Sequence, residues 1–216
     1  MTTYIPRIIE KKIKEHIKSA APPFHVILLN GARQCGKSTL LTQLFPKKEH
    51  FHINLALEGG LCDAIDATGS FSDFTFLLEN RLHYKMGGDK FLIFDEAQLS
   101  RKLGGYIRFM KEEWQTQRVI LTGSTLSTLF ENSEKPTGRV VEFILRPFNF
   151  VEFLTALEKE TLLLKLTNFD PANPVSETIH EEAVRLLKEY VTVGGLPEVV
   201  ITYKNGKDYL PLLADC

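Results

Sequence analysis

Residues 31–38 combine two glycines, a lysine and a serine in the pattern G-x-x-x-x-G-K-S. In a loop of this pattern the backbone amides converge on phosphate oxygens, and the lysine, here Lys37, reaches the β- and γ-phosphates. The hydroxyl of Ser38 suits a Mg²⁺ ion, and the amide of Thr39 can contact the α-phosphate. This spacing therefore predicts a site for a nucleotide with several phosphates. The predicted phosphate-binding residues are Gly31, Ala32, Arg33, Gln34, Cys35, Gly36, Lys37, Ser38 and Thr39.

Two adjacent carboxylates, Asp95 and Glu96, follow the apolar run at residues 91–94. Downstream of a phosphate loop this arrangement is usually called Walker B, with the first carboxylate in the Mg²⁺ shell and the second orienting and polarising the attacking water. Alternating strand geometry points neighbouring side chains in different directions, which allows the two roles to differ. Strands often end in acids at the solvent edge, but the upstream loop favours the functional interpretation. Ser38 and Asp95 are the predicted metal ligands, and Lys37 and Glu96 are predicted catalytic residues.

A third polar strand end is Thr122-Gly123-Ser124. Thr122 or Ser124 could contact the γ-phosphate or the attacking water, as polar residues at this place do in many phosphate-loop ATPases. The alternative is a helix cap, because Ser124 or Thr125 could begin a short helix at 126–130. The sequence leaves both interpretations open.

Arg139 follows a glycine and precedes the apolar segment at 140–145. Negative charge develops on the γ-phosphoryl oxygens during phosphoryl transfer, and an arginine from the same chain or from a neighbour can neutralise it. Arg139 is therefore a candidate catalytic residue. The alternative is a surface arginine at a strand edge, and sequence spacing does not distinguish the two.

The elements that must position these residues alternate between strand and helix. Apolar or alternating runs predict five strands, and amphipathic segments between them predict helices. The predicted strands lie at 24–29, 51–55, 91–94, 119–122 and 140–145, and the predicted helices at 7–18, 39–45, 72–84, 105–115, 150–166 and 178–190. This order predicts an α/β fold with a parallel sheet and ligands at the carboxyl ends of the strands. We expect a phosphate-loop core with an N-terminal helix at 1–148 and a helical extension at 149–216.

Composition excludes several classes of function. A chain of 216 residues suits one α/β domain with a small appendage, and its net charge of −1 gives no broad basic surface for nucleic acid. The N-terminus lacks the apolar core of a signal peptide, and no later run has the length of a membrane span. We therefore expect a cytoplasmic protein without a membrane segment. The scattered cysteines Cys35, Cys62 and Cys216 predict neither a disulfide framework nor a metal site.

Taken together, these motifs resemble a family of predicted prokaryotic ATPases of the AAA superfamily, in which a phosphate-loop domain precedes a C-terminal domain of unknown function. The resemblance covers nearly the whole chain. The matching pieces are Arg7, residues 31–41, Phe94-Asp95-Glu96-Ala97-Gln98, Leu121 to Ser124, Gly138-Arg139, Leu145 to Phe148, Glu152-Phe153 and Gly194-Gly195-Leu196-Pro197-Glu198.

The resemblance implies a P-loop NTPase core whose five parallel strands follow the AAA-like order 5-1-4-3-2. It also implies ATP as ligand, Mg²⁺ as cofactor and hydrolysis of ATP to ADP and phosphate. Two positions depart from the family pattern, since Cys35 and Ser38 stand where the family more often has a small aliphatic residue and threonine. Only 18 residues follow Glu198, so we expect most of the family's C-terminal domain to be missing.

Three functions are therefore to be compared. The first is a Mg²⁺-dependent ATPase that acts through Lys37, Ser38, Asp95 and Glu96. The second is a nucleotide-dependent interaction switch with little turnover, and the third is an inactive truncated remnant. A small-molecule kinase would need an acceptor-binding lid with several basic residues, which the sequence does not show convincingly. The expected partners are ATP and either further copies of the chain or an unidentified protein.

Overall fold

The computed structural model of the chain describes residues 4–131, 136–172 and 174–214. Cys216 lies outside the described residues. The chain forms two units, each with its own core. We call Lys11–Ala32 with Lys37–Leu145 the sheet unit, and Met1–Glu10, Arg33–Gly36 and Arg146–Cys216 the helical unit.

The sheet unit contains a five-stranded sheet in which every strand pair is parallel. Its strands are β1 (Val26–Asn30), β2 (His50–Asn54), β3 (Phe91–Asp95), β4 (Val119–Gly123) and β5 (Val140–Ile144). Their order is β2-β3-β4-β1-β5, which confirms the predicted order 5-1-4-3-2. All residues of β3 and β4 are buried, as expected for inner strands of a parallel sheet that is covered on both faces.

The pairing register aligns the carboxyl ends of the strands. Asn30, the last residue of β1, pairs with Gly123 of β4 on one side and with Ile144 of β5 on the other. Asn54, the last residue of β2, pairs with Asp95 of β3. The segments that follow β1, β3 and β4 therefore leave the sheet at one edge, which we call the carboxyl edge.

The first helix lies near the N-terminus, and four more lie between the strands of the sheet unit along the chain. They are α1 (Ile9–Ser19), α2 (Lys37–Leu44), α3 (Leu61–Ala67), α4 (Phe71–Arg81) and α5 (Leu103–Glu113). Sequence periodicity did not predict α3, because its seven residues contribute only Leu61 and Ile65 to the core. The core itself is apolar and rich in aromatic side chains, with Phe74, Phe94 and Leu121 fully buried.

The helical unit continues with α6 (Phe150–Ala156), α7 (Glu160–Thr167), α8 (Glu177–Val193), α9 (Pro197–Lys204) and α10 (Leu210–Ala214). One helix was predicted at 150–166, but the structure has two. The chain breaks at Glu158, whose φ of 58° lies in the left-handed region and cannot continue an α-helix. A capping box between Asn149 and Glu152 begins α6.

Phenylalanine and valine side chains form most of the main core of the helical unit. Its buried residues are Phe148, Phe153, Ala156, Val193, Val199 and Val200. No helix in the described part of the chain is both long and apolar enough to span a membrane.

Candidate nucleotide site

The segment after β1 has the backbone of a tight loop. Two of its residues take positive φ angles, 62° at Gln34 and 91° at Gly36. The conformation at Gly36 is one that side-chain-bearing residues rarely adopt, which explains the second glycine of the motif. The loop ends where α2 begins, at Lys37. Strand, loop and helix thus follow one another as predicted.

Lys37 turns its ammonium group back toward the start of the loop. Its Nζ donates to the carbonyl oxygens of Gly31 at 2.7 Å and Ala32 at 2.9 Å. The residue is only 8% exposed. A buried cation held on carbonyl dipoles can exchange them for phosphate oxygens, which bear full negative charge and form stronger hydrogen bonds.

Ser38 and Asp95 lie together at the carboxyl edge. The Ser38 hydroxyl donates to Oδ2 of Asp95 at 3.4 Å, and Asp95 is 4% exposed. Two oxygens bound to one Mg²⁺ ion, each about 2.1 Å from it, can be no more than about 4.2 Å apart. The separation and the oxygen chemistry of this pair therefore fit a Mg²⁺ ion.

His52 of β2 contacts the same carboxylate, with Nε2 3.4 Å from Oδ2 of Asp95. Sequence reasoning missed this residue. The available signal was the alternation of Phe51, His52 and Ile53 in a strand, but that pattern does not say which strand lies beside β3.

Glu96 follows Asp95 with a backbone conformation that is unusual for its residue type. Its φ is 54° and its ψ is 39°, in the left-handed region, and its amide donates to Oδ1 of Asp95 at 3.0 Å. The turn separates the two carboxylates, so that Asp95 is buried while Glu96 is half-buried. The Glu96 carboxylate accepts a hydrogen bond from Gln98, a residue to which sequence reasoning gave no role.

The end of β4 contacts the start of the loop through a backbone hydrogen bond. The amide of Gly31 donates to the carbonyl of Gly123 at 3.3 Å. Thr122 is fully buried, and its hydroxyl has no hydrogen-bond partner among the described residues. Ser124 is half-buried. The 3-10 helix at Leu126–Phe130 begins after Thr125, which makes no side-chain cap hydrogen bond.

The structure does not bring Arg139 to this edge. The carbonyl of Arg139 accepts from the amide of Val26, the first residue of β1, so Arg139 lies at the amino edge of the sheet. The length of β1, about 13 Å between its end residues, separates the two edges. The Arg139 side chain instead pairs with Glu112 at 2.8 Å and lines an open cleft of about 430 Å³. In its own sheet unit Arg139 is thus a strand-edge arginine.

Within the helical unit, Arg7 holds the middle of the loop. Its guanidinium donates to the carbonyl of Cys35 at 2.9 Å, to the carbonyl of Arg146 at 2.5 Å and to Glu152 at 3.0 Å. Arg7 is 7% exposed and also lies over the ring of Phe148. Its position ahead of α1 was noted in the sequence, but nothing local predicts partners up to 145 residues away.

The segment Gly194-Gly195-Leu196-Pro197 lies close to Phe148. The Phe148 amide donates to the carbonyl of Gly195 at 2.6 Å, and a Cβ on Gly195 would lie 2.2 Å from the Phe148 carbonyl oxygen. Only glycine fits this approach. A Cβ on Gly36 would lie 3.7 Å from the Pro197 ring, so this segment also borders the loop.

A parallel sheet in this order, with a glycine-rich loop between β1 and α2, defines the class of P-loop NTPases. A family model described as an AAA domain matches residues 23–154, more than half of the chain. The chain belongs to this AAA domain family.

The chain is also similar to one sequence relative and to two solved structures. The uncharacterised protein MJ1544 of Methanocaldococcus jannaschii is 26% identical over 195 residues, which are 88% of this chain and 40% of the relative. The chain thus spans less than half the length of this relative. The structure of the Walker-type ATPase PABY2304 of Pyrococcus abyssi matches with a TM-score of 0.55 and 19% identity, over 98% of this chain and 71% of that one. The structure of PCH-2 from C. elegans matches with a TM-score of 0.45 and 14% identity, over 82% of this chain and 53% of that one.

Proposed function

We propose that the chain binds ATP with Mg²⁺ and hydrolyses it to ADP and phosphate. The observation that carries the proposal is the pairing of Ser38 with Asp95 at 3.4 Å. Lys37 directly precedes Ser38 in the chain, and Glu96 directly follows Asp95. A metal-binding oxygen pair, a phosphate-binding cation and a second carboxylate are the parts that phosphoryl transfer to water requires.

The residues would divide the work as follows. Lys37 would leave the carbonyls of Gly31 and Ala32 and bind β- and γ-phosphate oxygens. Ser38 and Asp95 would hold Mg²⁺, which when bound neutralises charge on the phosphates. Glu96 would orient the attacking water and accept its proton. Ser124 is half-buried at this edge and would contact the γ-phosphate or that water, whereas Thr122 is fully buried and would require a local shift.

The proposal is tested by phosphate release with Mg²⁺ and with a chelator in its place. We expect Glu96→Gln to bind ATP with parental affinity and to lose turnover by about a hundredfold or more, because the amide cannot accept the proton. Lys37→Ala should lose ATP affinity. The exposed residues Glu58 and Lys48 offer matched controls, Glu58→Gln and Lys48→Ala, which should keep parental values. Undiminished phosphate release by Glu96→Gln would overturn the role of Glu96.

The same experiment distinguishes the other functions. Stoichiometric ATP binding without repeated turnover by the parent chain would favour the interaction switch. Nucleotide at a hundred times its dissociation constant stabilises a folded protein by about 2.7 kcal/mol, so the absence of a melting shift would favour an inactive remnant. Assembly with further copies and a cytoplasmic location stay predictions.

A further inference from the structure

Gln98 lies two residues beyond the predicted catalytic carboxylate, in the 3-10 turn Ala97–Leu99. Its side-chain Nε2 donates to Oε2 of Glu96 at 2.5 Å. Among the described residues, this is the hydrogen bond that the Glu96 carboxylate accepts. Such a bond fixes Oε2 of the Glu96 carboxylate and leaves Oε1 of the same carboxylate to face another group.

The turn that carries Gln98 holds Glu96 in a strained conformation. A residue other than glycine in the left-handed region is strained and persists only where its surroundings enforce it. Here the amide of Leu99 donates to the carbonyl of Glu96 at 3.0 Å, and the amide of Ser100 donates to that of Ala97 at 3.2 Å. The backbone of the turn thus brings the Gln98 amide back toward the carboxylate.

The other end of the Gln98 amide lies against the last residue of β4. A Cβ on Gly123 would lie 1.9 Å from Oε1 of Gln98 and 3.0 Å from its Cδ. Gly123 is therefore the residue that makes room for this side chain. The Gly123 carbonyl accepts the amide of Gly31, the first loop residue, at 3.3 Å. Gln98 thus lies between the predicted catalytic carboxylate and a strand end that is bonded to the loop.

Oε1 of Gln98 is buried and has no hydrogen-bond partner among the described residues. Leaving a buried acceptor without a hydrogen bond destabilises the folded protein. Fold stability alone would be better served by an apolar side chain of the same length. The amide at this position is explained by the hydrogen bond that its other end donates to Glu96.

We infer that Gln98 is a positioning residue for Glu96. Its amide holds the Glu96 carboxylate so that the second oxygen faces the attacking water. Its contact with Gly123 holds the Gln98 side chain in place against the end of β4. The inference rests on the proposed function, because it assigns Gln98 a part in the same hydrolysis.

The decisive variant is Gln98→Met, which keeps the length of the side chain and removes the hydrogen-bond donor. We expect kcat for ATP hydrolysis to fall at least about tenfold, because small misplacements of a catalytic group have effects of this size or larger. KM and the dissociation constant for ATP should stay within about twofold of the parental values, because Gln98 is not in the phosphate loop. The melting temperature should not fall. Gln43→Ala, an exposed glutamine of α2, is the matched control.

A second variant approaches the same contact from the other side. The added methyl of Gly123→Ala would displace the Gln98 amide, and we expect the same loss of kcat. Leu126 is also close, at 2.9 Å from the new Cβ, so melting is measured in parallel. The double variant should be no slower than the slower single variant, because both changes break one arrangement.

Each outcome decides the inference. A parent that turns over and a Gln98→Met variant with parental kcat would overturn it and leave the proposed function intact. Losses that multiply in the double variant, or a Gln98→Met variant that raises KM and lowers the melting temperature, would also overturn it, since these are signs of a purely structural role. A parent without turnover would overturn the proposed function, and the inference with it.

Discussion

At the scale of single residues, the buried charges of Lys37, Arg7 and Glu152 are each held by identifiable partners. Lys37 is held on the carbonyls at the start of the loop. Arg7 and Glu152 form an ion pair whose side chains are about 5% exposed. Glu152 also accepts hydrogen bonds from the amides of Ile8 and Asn149. This pair therefore organises three chain segments of the helical unit.

Removal of Glu152 should destabilise the protein strongly. Glu152→Ala leaves the Arg7 guanidinium buried without its counter-charge, and we expect a loss of about 3–5 kcal/mol in the free energy of unfolding. Urea unfolding followed by circular dichroism measures it. The matched control is Glu158→Ala, whose carboxylate pairs with Lys204 and is 71% exposed. Exposed pairs contribute about 0–1 kcal/mol, so equal losses in the two variants would contradict the prediction.

At the scale of elements, the start of α5 depends on Asp66 of α3. Burial by itself would raise the pKa of Asp66, but hydrogen bonds from Ser100 and from the amides of Arg101 and Lys102 hold that pKa below its ordinary value of 3.8. Ser100 in turn accepts from the amide of Leu103, the first residue of α5. The two side chains fix the connection from β3 to α5.

This network predicts a pH-dependent contribution to stability. Since the pKa of Asp66 is lower in the folded state, its stabilisation is present above pH 3.8 and is lost as the pH falls through the folded value. We expect Asp66→Asn to cost about 1 kcal/mol at neutral pH, as for a lost helix cap, and progressively less as the pH falls below 3.8. Urea unfolding at a series of pH values measures the difference. Asp63→Asn, an exposed position on the same helix, is the control, and a cost that is independent of pH would contradict the mechanism.

At the scale of the whole molecule, the position of Arg139 bears on assembly. It lies at the amino edge of its own sheet, paired with Glu112, and the predicted nucleotide residues lie at the other edge. We propose that Arg139 serves the site of a neighbouring copy, because its own sheet holds it at the edge opposite the predicted nucleotide residues. Arg139 could then neutralise charge on a bound phosphate although it lies far from the nucleotide residues of its own chain.

Mixing two inactive variants tests this arrangement. Arg139→Ala and Glu96→Gln should each lose ATP turnover, and a mixture should regain part of it, because some interfaces then combine an intact Arg139 with an intact Glu96. Arg108→Ala is the matched control, since Arg108 pairs with the same Glu112 at 3.2 Å and is 62% exposed. Parental turnover by Arg139→Ala would exclude a catalytic role, and a mixture no more active than its components would exclude action between copies.

The sequence by itself determined the phosphate loop, the strand ends that carry Asp95-Glu96 and Thr122-Gly123-Ser124, and the parallel fold. The physical reason is that apolar periodicity and glycine positions determine the local conformation of a few residues at a time. Parallel strands then bring their carboxyl ends to one edge of the sheet. The order of the strands came from the family resemblance, and the register of the sheet agrees with it.

Only the tertiary structure decided which groups meet across long stretches of chain. Periodicity did not place His52 beside Asp95, did not join Arg7 to Glu152, and did not show that Gly123 makes room for Gln98. The position of Arg139 before β5 in a parallel sheet already implied the amino edge, but only the structure showed its pairing with Glu112. These contacts depend on the order and direction of strands and on close packing between distant segments, which no local pattern of residues encodes.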